Sequence, residues 1–568
     1  MTKPRFYASS VSHIILNPLK RPRNLPIFCF LLGALCLPYA RGNSSLPSLI
    51  PSSVAKSASV AARSLLMKHP DTRALLDQTN SDYIFSKSRT NQGMMTHQIK
   101  QIYQGIEVLG VAALVHETPF DASPLVVVRP FDLSVSPELS PTEALSIAQS
   151  ATPEEKLTIA SELKIWPGKQ PHQAHLVYWA YPKEQRTLES HHVMVDAHSG
   201  QIVAQVPEIL GILPKFENHS NQANTVSTPR QVHAQPYESS SSFPKEPYSE
   251  NWGKHLAKHD VYDASTMPEE DISLRSGAPI RVRLHTLDHV VKGNEIQPSA
   301  DDAALRAFRF MRKVQHYYYQ DHDRDSYDER GRKIRSIVHV GRNYSNAFWH
   351  PTYQIMAFGD GDSENYGDFT RSLDVAGHEF THAVVSEAVG PVIVNYRQLS
   401  GLVYQGESGA LNEALADLFG VLIEGEFDWI VGQEIFLGDQ GQKNGIRNLI
   451  TPGVRTVRFY DESKGEVINK PYPKNMDEMF PVDGWCGSHN DYCWVHVNST
   501  IIGHFGYQLV QRVGKEKTKD LLYATLNHYL HPLATFTDFR DGMMRACHVR
   551  YQDGTCDLLK ESFEIVGL

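Results

Sequence analysis

The 568-residue sequence has no excess of positive charge, because 55 lysines and arginines stand against 64 acidic residues for a formal net charge of −9. Proteins that bind nucleic acids use clustered Lys and Arg to contact phosphates, so this balance gives no reason to expect a nucleic-acid partner. Hydrophobic residues make up 41% and charged residues 21% of the chain. This composition excludes a disordered protein and suits two to four globular domains.

The sequence also lacks an apolar run long enough to predict a membrane span. Near the N-terminus the residues from Leu25 to Ala40 carry no charge and follow three basic residues. The run is shorter than a membrane-spanning helix, is interrupted by proline and ends in small residues. We therefore predict a signal peptide and a secreted protein, with an N-terminal anchor as the alternative.

Cysteine is scarce, with six in the whole chain. Cys29 and Cys36 would leave with the signal peptide, and an even number in an exported chain favours disulfides over the alternative of four free buried thiols. Of the three possible connectivities we expect the two short loops, Cys486 with Cys493 and Cys547 with Cys556.

A short motif, His378-Glu379-Phe380-Thr381-His382, lies in a proline-free segment of helical pattern. Residues four apart share a helical face, so His378 and His382 can present two imidazoles to one metal ion. Glu379 is placed to act as a base on water at that metal. These are the parts of a hydrolytic zinc site: neutral imidazole ligands, an open coordination position and a carboxylate base.

A third zinc ligand of the metzincin type is excluded, because that pattern needs Gly at 385 and His at 388 and the chain has Val385 and Ala388. Downstream, Glu413 and Asp417 lie four apart in a second helical pattern. One can bind zinc while the other orients a ligand imidazole. The alternative is a pair of solvated acids, but the Ala, Leu and Gly around them make this helix too apolar for a solvated one.

Four segments of the chain resemble the thermolysin family of secreted zinc metalloproteases. They occur in the family's order and are the residues 378–384, the residues 404–414, Val495-His496-Val497-Asn498-Ser499, and Asn346-Ala347-Phe348-Trp349 followed by Gly359-Asp360-Gly361-Asp362. The resemblance implies an α+β fold with two lobes, a mixed β/α N-terminal lobe and a mainly helical C-terminal lobe, preceded by an α+β propeptide.

The resemblance also implies a role for each matched residue. His378, His382 and Glu413 look like the ligands of one catalytic zinc, and Glu379 looks like the general base. The other implied roles are these: Asp417 and Asn412 orient the ligand imidazoles, Tyr404 and His496 hydrogen-bond the oxyanion, Asp491 holds His496, and Asn346, Ala347 and Arg447 bind the substrate backbone.

The family's pocket for the side chain after the cut bond matches Val375, Phe369, Tyr366 and Ile446. All four are apolar or aromatic, so a charged side chain there would lose its hydration without gaining a partner. We expect the pocket to select Leu, Ile, Val or Phe. Leu should outrank Phe, because two aromatic residues already consume volume.

Calcium ligands of the family match Asp374, Glu424 and Asp428, and carboxylate oxygens suit Ca²⁺. Ile430 and Gln433 stand where thermolysin itself has acids. A two-ion cluster needs those charges to offset the repulsion between cations, so we expect one structural calcium.

The region before the protease-like part has features of a propeptide. Thr96 to Val108 alternates and turns at Gly105, and it resembles the fungalysin/thermolysin propeptide; Val195 to Val203 is similar to a PepSY domain. We expect this region to assist folding and to block the cleft, with an unrelated accessory domain as the alternative. Glu208 to Glu250 is rich in Asn, Ser, Gln and Pro, which predicts an unfolded linker containing the processing site.

Local patterns predict several further elements. They are helices over Pro141 to Ser150, from Ser299 (with Asp302 as its capping partner) and over Ile501 to Val510; strands over Ala174 to Tyr181, His191 to Val206, Ile280 to His285, Ser336 to Tyr344 and Gln354 to Phe358; and an extra loop over Pro391 to Ser400.

These observations predict the following organisation: signal peptide 1–40, fungalysin/thermolysin-like propeptide 44–135, PepSY-like propeptide 136–207, linker 208–250, N-terminal lobe with the zinc helix 251–390, and C-terminal helical lobe 391–568. We predict a secreted zinc endopeptidase made as a zymogen, which cuts before hydrophobic residues. Its expected partners are protein and peptide substrates and its own propeptide, and we expect a monomer.

The alternatives are a zinc aminopeptidase and a catalytically inactive binding protein. A zinc aminopeptidase would need an acidic subsite for a free amino terminus, and no G-x-M-E-N-like stretch occurs. A catalytically inactive binding protein would ordinarily have lost a ligand or the base, and none is lost.

Overall fold

The computed structural model describes residues 62–64, 66–67, 73, 76, 81–91, 93–110, 113–117, 125–126, 132–167, 173–183, 190–213, 256–265, 287–341, 343–390, 392–394, 397–399, 401–425, 428–461, 465–482 and 484–568. The predicted signal peptide, residues 214–250 of the predicted linker and the strand predicted over Ile280 to His285 lie outside these ranges. Within them, no helix is both long enough and apolar enough to cross a membrane.

The region predicted to be the first part of the propeptide is an antiparallel sheet in the order β1-β2-β4-β5, with β3 paired to β2. The predicted hairpin is confirmed: Tyr103 pairs with Ile106 across a turn in which Gly105 has φ 86°. The strands are β1 (Ser81–Asn91), β2 (Met94–Tyr103), β3 (Ile106–Glu107), β4 (Ala113–Glu117) and β5 (Leu125–Val126).

The second part is a helix packed on a five-stranded sheet: α1 (Pro141–Ala151), β6 (Leu157–Ile159), β7 (Lys164–Trp166), β8 (His175–Pro182), β9 (His191–Asp196) and β10 (Ile202–Pro207). The prediction of one strand over His191 to Val206 was wrong, because a turn separates β9 from β10. The Asp196 carboxylate accepts a hydrogen bond from the Ser199 N–H at 2.7 Å, and Gly200 supplies a φ of 76°.

The N-terminal lobe of the protease-like part contains a seven-stranded sheet in the order β11-β16-β17-β15-β12-β13-β14. Its elements are β11 (Leu210–Gly211), β12 (His259–Asp263), β13 (Asp288–Lys292), β14 (Glu295–Ile296), α2 (Asp302–His322), β15 (Ile334–Val338), β16 (Ala347–His350) and β17 (Ile355–Phe358).

Three predictions for this lobe were wrong. The cap of α2 is Asp301, whose carboxylate accepts the Ala304 N–H at 2.9 Å, and not Ser299. The strand predicted over Ser336 to Tyr344 ends at Val338, because His339 adopts φ 57°. The start of the predicted linker is ordered as β11, since Ile209, Leu210 and Ile212 form a buried apolar run that the polar composition of the whole segment concealed.

The C-terminal lobe is mainly helical, and its two central helices are buried along almost their whole length. The elements are α3 (Leu373–Val389), β18 (Val392–Val394), β19 (Arg397–Leu399), α4 (Gly406–Glu424), β20 (Ile430–Val431), α5 (Asp439–Asn444), β21 (Arg447–Asn448), β22 (Thr456–Asp461), β23 (Glu466–Pro471), α6 (Asp491–Val513), α7 (Lys515–His528), α8 (Phe536–Arg550) and α9 (Thr555–Ile565).

The predicted extra loop contains a small hairpin, β18 paired with β19. Residues Asp491 to Trp494 at the start of α6 have left-handed backbone, so its right-handed helix begins at Val495, six residues before the predicted start at Ile501. Both predicted disulfides are confirmed, with Cα–Cα distances of 4.9 Å for Cys486–Cys493 and 5.7 Å for Cys547–Cys556.

Candidate active site

Two adjacent buried helices bring the three predicted zinc ligands together. His378 and His382 lie one turn apart on α3, and their Nε2 atoms are 2.9 Å from each other. Glu413 on α4 places Oε2 3.4 Å from His378 Nε2 and Oε1 3.3 Å from His382 Nε2. All three side chains are completely buried.

This donor set fits zinc. Ligand atoms around a tetrahedral zinc with bonds of about 2.0–2.2 Å lie roughly 3.3–3.5 Å apart, close to the separations observed here. Both Nδ1 atoms are used in other hydrogen bonds, so the two Nε2 lone pairs face each other and need a cation or a proton between them. Burial lowers the pKa of His378, but Glu413 and Asp417 outweigh burial and raise it to about 9. The site therefore attracts positive charge.

The predicted orienting residues hold the outer side of each imidazole. Asp417 Oδ1 is 2.9 Å from His378 Nδ1, and Asn412 Oδ1 is 2.9 Å from His382 Nδ1. The Asn412 amide is itself fixed, because its Nδ2 donates to the Leu402 carbonyl at 3.2 Å. Such partners fix the tautomer and the orientation of a ligand imidazole.

Arg447 makes a contact that the sequence analysis missed. Its Nε and Nη2 donate to the two oxygens of Asp417 at 2.6 and 2.7 Å, a bidentate pair that is completely buried. Asp417 therefore holds both the predicted ligand His378 and the cation that is predicted to bind the substrate backbone. The motif that identified Arg447 gave only its role toward substrate, and no spacing rule links residues 417 and 447.

The predicted base, Glu379, is buried, and neither of its carboxylate oxygens has a hydrogen-bond partner of normal geometry among the described residues. Burial raises the pKa of Glu379 well above its usual range, and the Glu413 carboxylate raises it further, against the opposing charges of His378 and Arg447. A raised pKa suits a group that accepts a proton from water and returns it.

The predicted oxyanion donors also meet at this site. Tyr404 Oη is 3.0 Å from His496 Nε2, and His496 Nε2 is 3.5 Å from Glu413 Oε2. Asp491 holds His496 twice, through Nδ1 at 2.8 Å and through the backbone N–H at 2.9 Å. Burial lowers the pKa of His496, but Asp491 and Glu413 outweigh it and raise the pKa. The Nδ1 bond orients Nε2 toward the cleft.

A strained segment positions His496. Four consecutive residues from Asp491 to Trp494 have φ between 52° and 68°, the left-handed region that is costly for residues with a Cβ. The disulfide Cys486–Cys493 closes this segment, and the Asn490 side chain accepts the Cys493 N–H at 3.1 Å. These bonds hold Asp491 and His496 at the start of α6.

The predicted substrate strand is already paired. Strand β11 runs antiparallel to β16, where Leu210 pairs with Trp349 and Gly211 with Phe348. Beyond β11, the Ile212 N–H donates to the Ala347 carbonyl and the Leu213 N–H to Asn346 Oδ1, both at 3.1 Å. We refer to residues 208–213 as the cleft segment; the sequence analysis assigned them to the linker.

Two family models match this chain: that of the thermolysin metallopeptidase catalytic domain over residues 251–386, and that of the thermolysin metallopeptidase alpha-helical domain over residues 400–568. Neutral protease NprE of Bacillus pumilus is 32% identical over 270 residues, which are 48% of this chain and 78% of that protein. The chain belongs to the thermolysin family.

Thermostable neutral protease NprT of Geobacillus stearothermophilus is 33% identical over 293 residues, 48% of this chain and 47% of that protein. The chain spans about half the length of several of the curated relatives it matches. Among solved structures, the precursor of protealysin, a metalloproteinase from Serratia proteamaculans, has 26% identity and a TM-score of 0.42, covering 55% of this chain and 87% of that chain.

The pocket residues inferred from the thermolysin family lie in one apolar cluster. Val375 and Phe369 are completely buried and Ile446 is 2% exposed, whereas Tyr366 is partly buried. The ring of Phe436, which the sequence analysis missed, lies 4.8 Å from that of Tyr366. A Cβ at Gly432 would be 2.7 Å from Ile446 Cδ1 and 3.4 Å from Val375 Cγ2, so a glycine leaves room for these two side chains.

Proteins of the thermolysin family use catalytic zinc and structural calcium. Three carboxylates here, those of Asp374, Glu424 and Glu434, offer oxygens that all lie within 4.8 Å of one another. Asp428, the third calcium ligand that the resemblance implied, lies outside this cluster, and its Oδ2 accepts a hydrogen bond from Gln433 Nε2. Glu434 takes its place because the short 3₁₀ helix Gln433–Ile435 carries it toward α3, where Ser372 Oγ lies 2.7 Å from its Oε2.

Proposed function

We propose that this protein is a secreted, zinc-dependent endopeptidase that is made as a zymogen. One observation carries the proposal: three zinc-type ligands, a buried carboxylate and two predicted oxyanion donors surround the backbone of an extended peptide segment. The predicted signal peptide supports export, and the occupied cleft supports a zymogen with the pro-region as its inhibitor.

Each residue has a distinct task in peptide hydrolysis. Zinc held by His378, His382 and Glu413 would act as a Lewis acid on the carbonyl and on water. Glu379 takes a proton from the attacking water and returns it to the leaving nitrogen. His496 and Tyr404 donate hydrogen bonds to the developing oxyanion, and Asn346, Ala347 and Arg447 hold the backbone of the peptide.

The four pocket residues support a preference for Leu, Ile, Val or Phe immediately after the cut bond. A charged side chain would be desolvated there without a partner. One methylene changes the preference by only about 1–3 kcal/mol, so the selection is graded, with Leu ahead of Phe and Trp poor. A peptide-library digest read by mass spectrometry tests this: cuts mainly before charged residues would refute the pocket, and Phe ahead of Leu would refute the size argument.

Casein hydrolysis by the purified secreted protein, with and without a zinc chelator, tests the activity itself. We expect hydrolysis that the chelator abolishes and added zinc restores. Hydrolysis that persists in zinc-free protein would contradict the proposal.

A further inference from the structure

The cleft segment places one specific peptide bond at the catalytic groups. The Gly211 carbonyl oxygen accepts a hydrogen bond from His496 Nε2, the same atom that lies 3.0 Å from Tyr404 Oη and 3.5 Å from Glu413 Oε2. The carbonyl of Gly211 is therefore the one that faces the oxyanion donors and the zinc ligands.

The other side of this bond is held as a substrate would be. The Ile212 N–H donates to the Ala347 carbonyl at 3.1 Å, and the Ile212 carbonyl accepts from Arg447 Nη1 at 2.7 Å. Ile212 is completely buried, in the same apolar cluster as the pocket residues Val375 and Ile446. The segment thus has the strand direction, the backbone bonds and the side chain that the proposed substrate requires.

The close approach of β11 to β16 depends on the absence of a side chain at Gly211. A Cβ on Gly211 would lie 2.8 Å from Asn346 Nδ2 and 3.1 Å from the Ala347 carbonyl oxygen, so a side chain there would push the segment away from β16.

The N-terminal end of the cleft segment is anchored by a buried carboxylate. Glu208 is completely buried; its Oε1 is 2.9 Å from His192 Nε2 and its Oε2 is 3.8 Å from His350 Nε2. Trp179 Nε1 donates to His192 Nδ1 at 2.7 Å, which leaves the proton of that imidazole on Nε2, facing Glu208. Glu208 therefore joins the pro-region strand β9 to the substrate strand β16.

We propose that the bond at which this chain separates its own pro-region from its protease part is the one between Gly211 and Ile212. The inference rests on the proposed endopeptidase function. The oxygen of a water molecule joins the Gly211 carbonyl carbon, the bond to the Ile212 nitrogen breaks, and Glu379 transfers the water proton to that nitrogen. The products are a pro-region that ends in a Gly211 carboxylate and a protease that begins with the Ile212 ammonium.

The cut is intramolecular, because the reacting bond is already held at the catalytic groups. Full-length protein supplied with zinc and calcium should therefore acquire an Ile212 N-terminus by first-order kinetics, at a rate constant that does not change over a hundredfold range of protein concentration. N-terminal sequencing and intact-mass measurement follow the appearance of this N-terminus with time. The Glu379→Gln chain should keep its Gly211–Ile212 bond, also when active wild-type protein is added, since this bond is shielded within its own cleft.

A matched pair of substitutions tests the register. Ile212→Asp places a charge in the apolar pocket and should slow the cut at this bond roughly 100-fold, whereas Ile212→Leu should be cut within about threefold of the wild-type rate. A third measurement needs no activity: in the uncut Glu379→Gln chain, hydrogen exchange should show protected amides at Ile212 and Leu213, and Asn346→Ala should expose that of Leu213.

An external peptide with Gly before and Leu after the scissile bond separates the two proposals. Wild-type protein that cuts this peptide but never shows an Ile212 N-terminus, or is cut only within residues 214–250, overturns this inference and leaves the proposed function standing. Freely exchanging amides at Ile212 and Leu213 overturn it as well. Zinc-loaded protein that cuts neither the peptide nor itself overturns the proposed function and this inference together.

Discussion

Helices α3 and α4 contribute to two clusters of candidate metal ligands, and the side chains of the two clusters interact in opposite ways. In the zinc-type cluster the Nδ1 atom of each imidazole is held by a hydrogen bond, that of His378 by Asp417 and that of His382 by Asn412. At the other, the side chains are carboxylates that mainly repel one another. The zinc-type site is therefore preformed by hydrogen bonds, whereas the calcium-type site contains a repulsion that a bound cation would relieve.

The repulsion in the acidic cluster is visible at Asp374. Burial first, and then the neighbouring Glu434 carboxylate, raise the pKa of Asp374 to about 7. The Ser372 hydroxyl lies within hydrogen-bond distance of both carboxylates but can donate its one proton to only one at a time. A hard dication would remove this conflict by binding both oxygens.

The largest expected effect concerns the base next to the preformed site. Glu379→Gln should lower peptide hydrolysis by roughly 10²–10⁴, because the amide cannot accept the water proton. Zinc content, measured by mass spectrometry, should remain one per chain because the ligands are untouched. In saturating calcium, the Glu434→Gln variant should hydrolyse peptides at a rate within about twofold of wild type. Near-normal hydrolysis by zinc-loaded Glu379→Gln protein would contradict the assignment of the base; Glu387→Gln, on the same helix, is the control.

The next largest loss of activity is expected from removing an oxyanion donor of the zinc-type site. His496→Ala should lower kcat by roughly 10²–10³ with little change in KM, the scale for loss of one oxyanion donor. The measurement needs protein whose cleft segment has been cut, as checked by mass, because the uncut segment competes with substrate. A change confined to KM would mean that His496 only binds substrate.

The zinc ligands, the base and the disulfides followed from short-range patterns and from family motifs. Glu413, for example, is recognisable because a carboxylate occurs at a fixed place in an apolar helix. The contacts that escaped prediction join residues far apart in the chain. Arg447 meets Asp417, and Glu434 replaces Asp428, only because loops return to α3 and α4. The cleft segment escaped because four apolar residues were averaged into a long polar stretch.

The contribution of the outer partners to zinc binding is a smaller effect. Asp417→Asn keeps the shape of the side chain but removes the charge that holds both His378 and Arg447. It should weaken zinc binding by roughly 10–100-fold, measured by competition with a chromogenic chelator. Glu424→Gln, near the other end of the same helix, is the control and should leave zinc affinity unchanged. Equal weakening by both variants would show that the two clusters are not independent.

The smallest expected effect is that of Glu434→Gln on the free energy of unfolding, and its sign should depend on whether calcium is present. Without calcium, Glu434→Gln removes the charge that repels Asp374, so the free energy of unfolding should rise by about 1 kcal/mol, well below the ~4 kcal/mol Coulomb scale for such a pair. With calcium at about 100 times its Kd, the wild type gains roughly 2.7 kcal/mol, and a variant that binds calcium more weakly gains less and becomes the less stable protein. Urea unfolding with and without calcium measures both free energies, and it uses chains that also carry Glu379→Gln so that the cleft segment stays uncut. The exposed Glu466→Gln should behave as the parent in both. A Glu434→Gln variant that is destabilised equally with and without calcium would show that Glu434 has a packing role and belongs to no cation site.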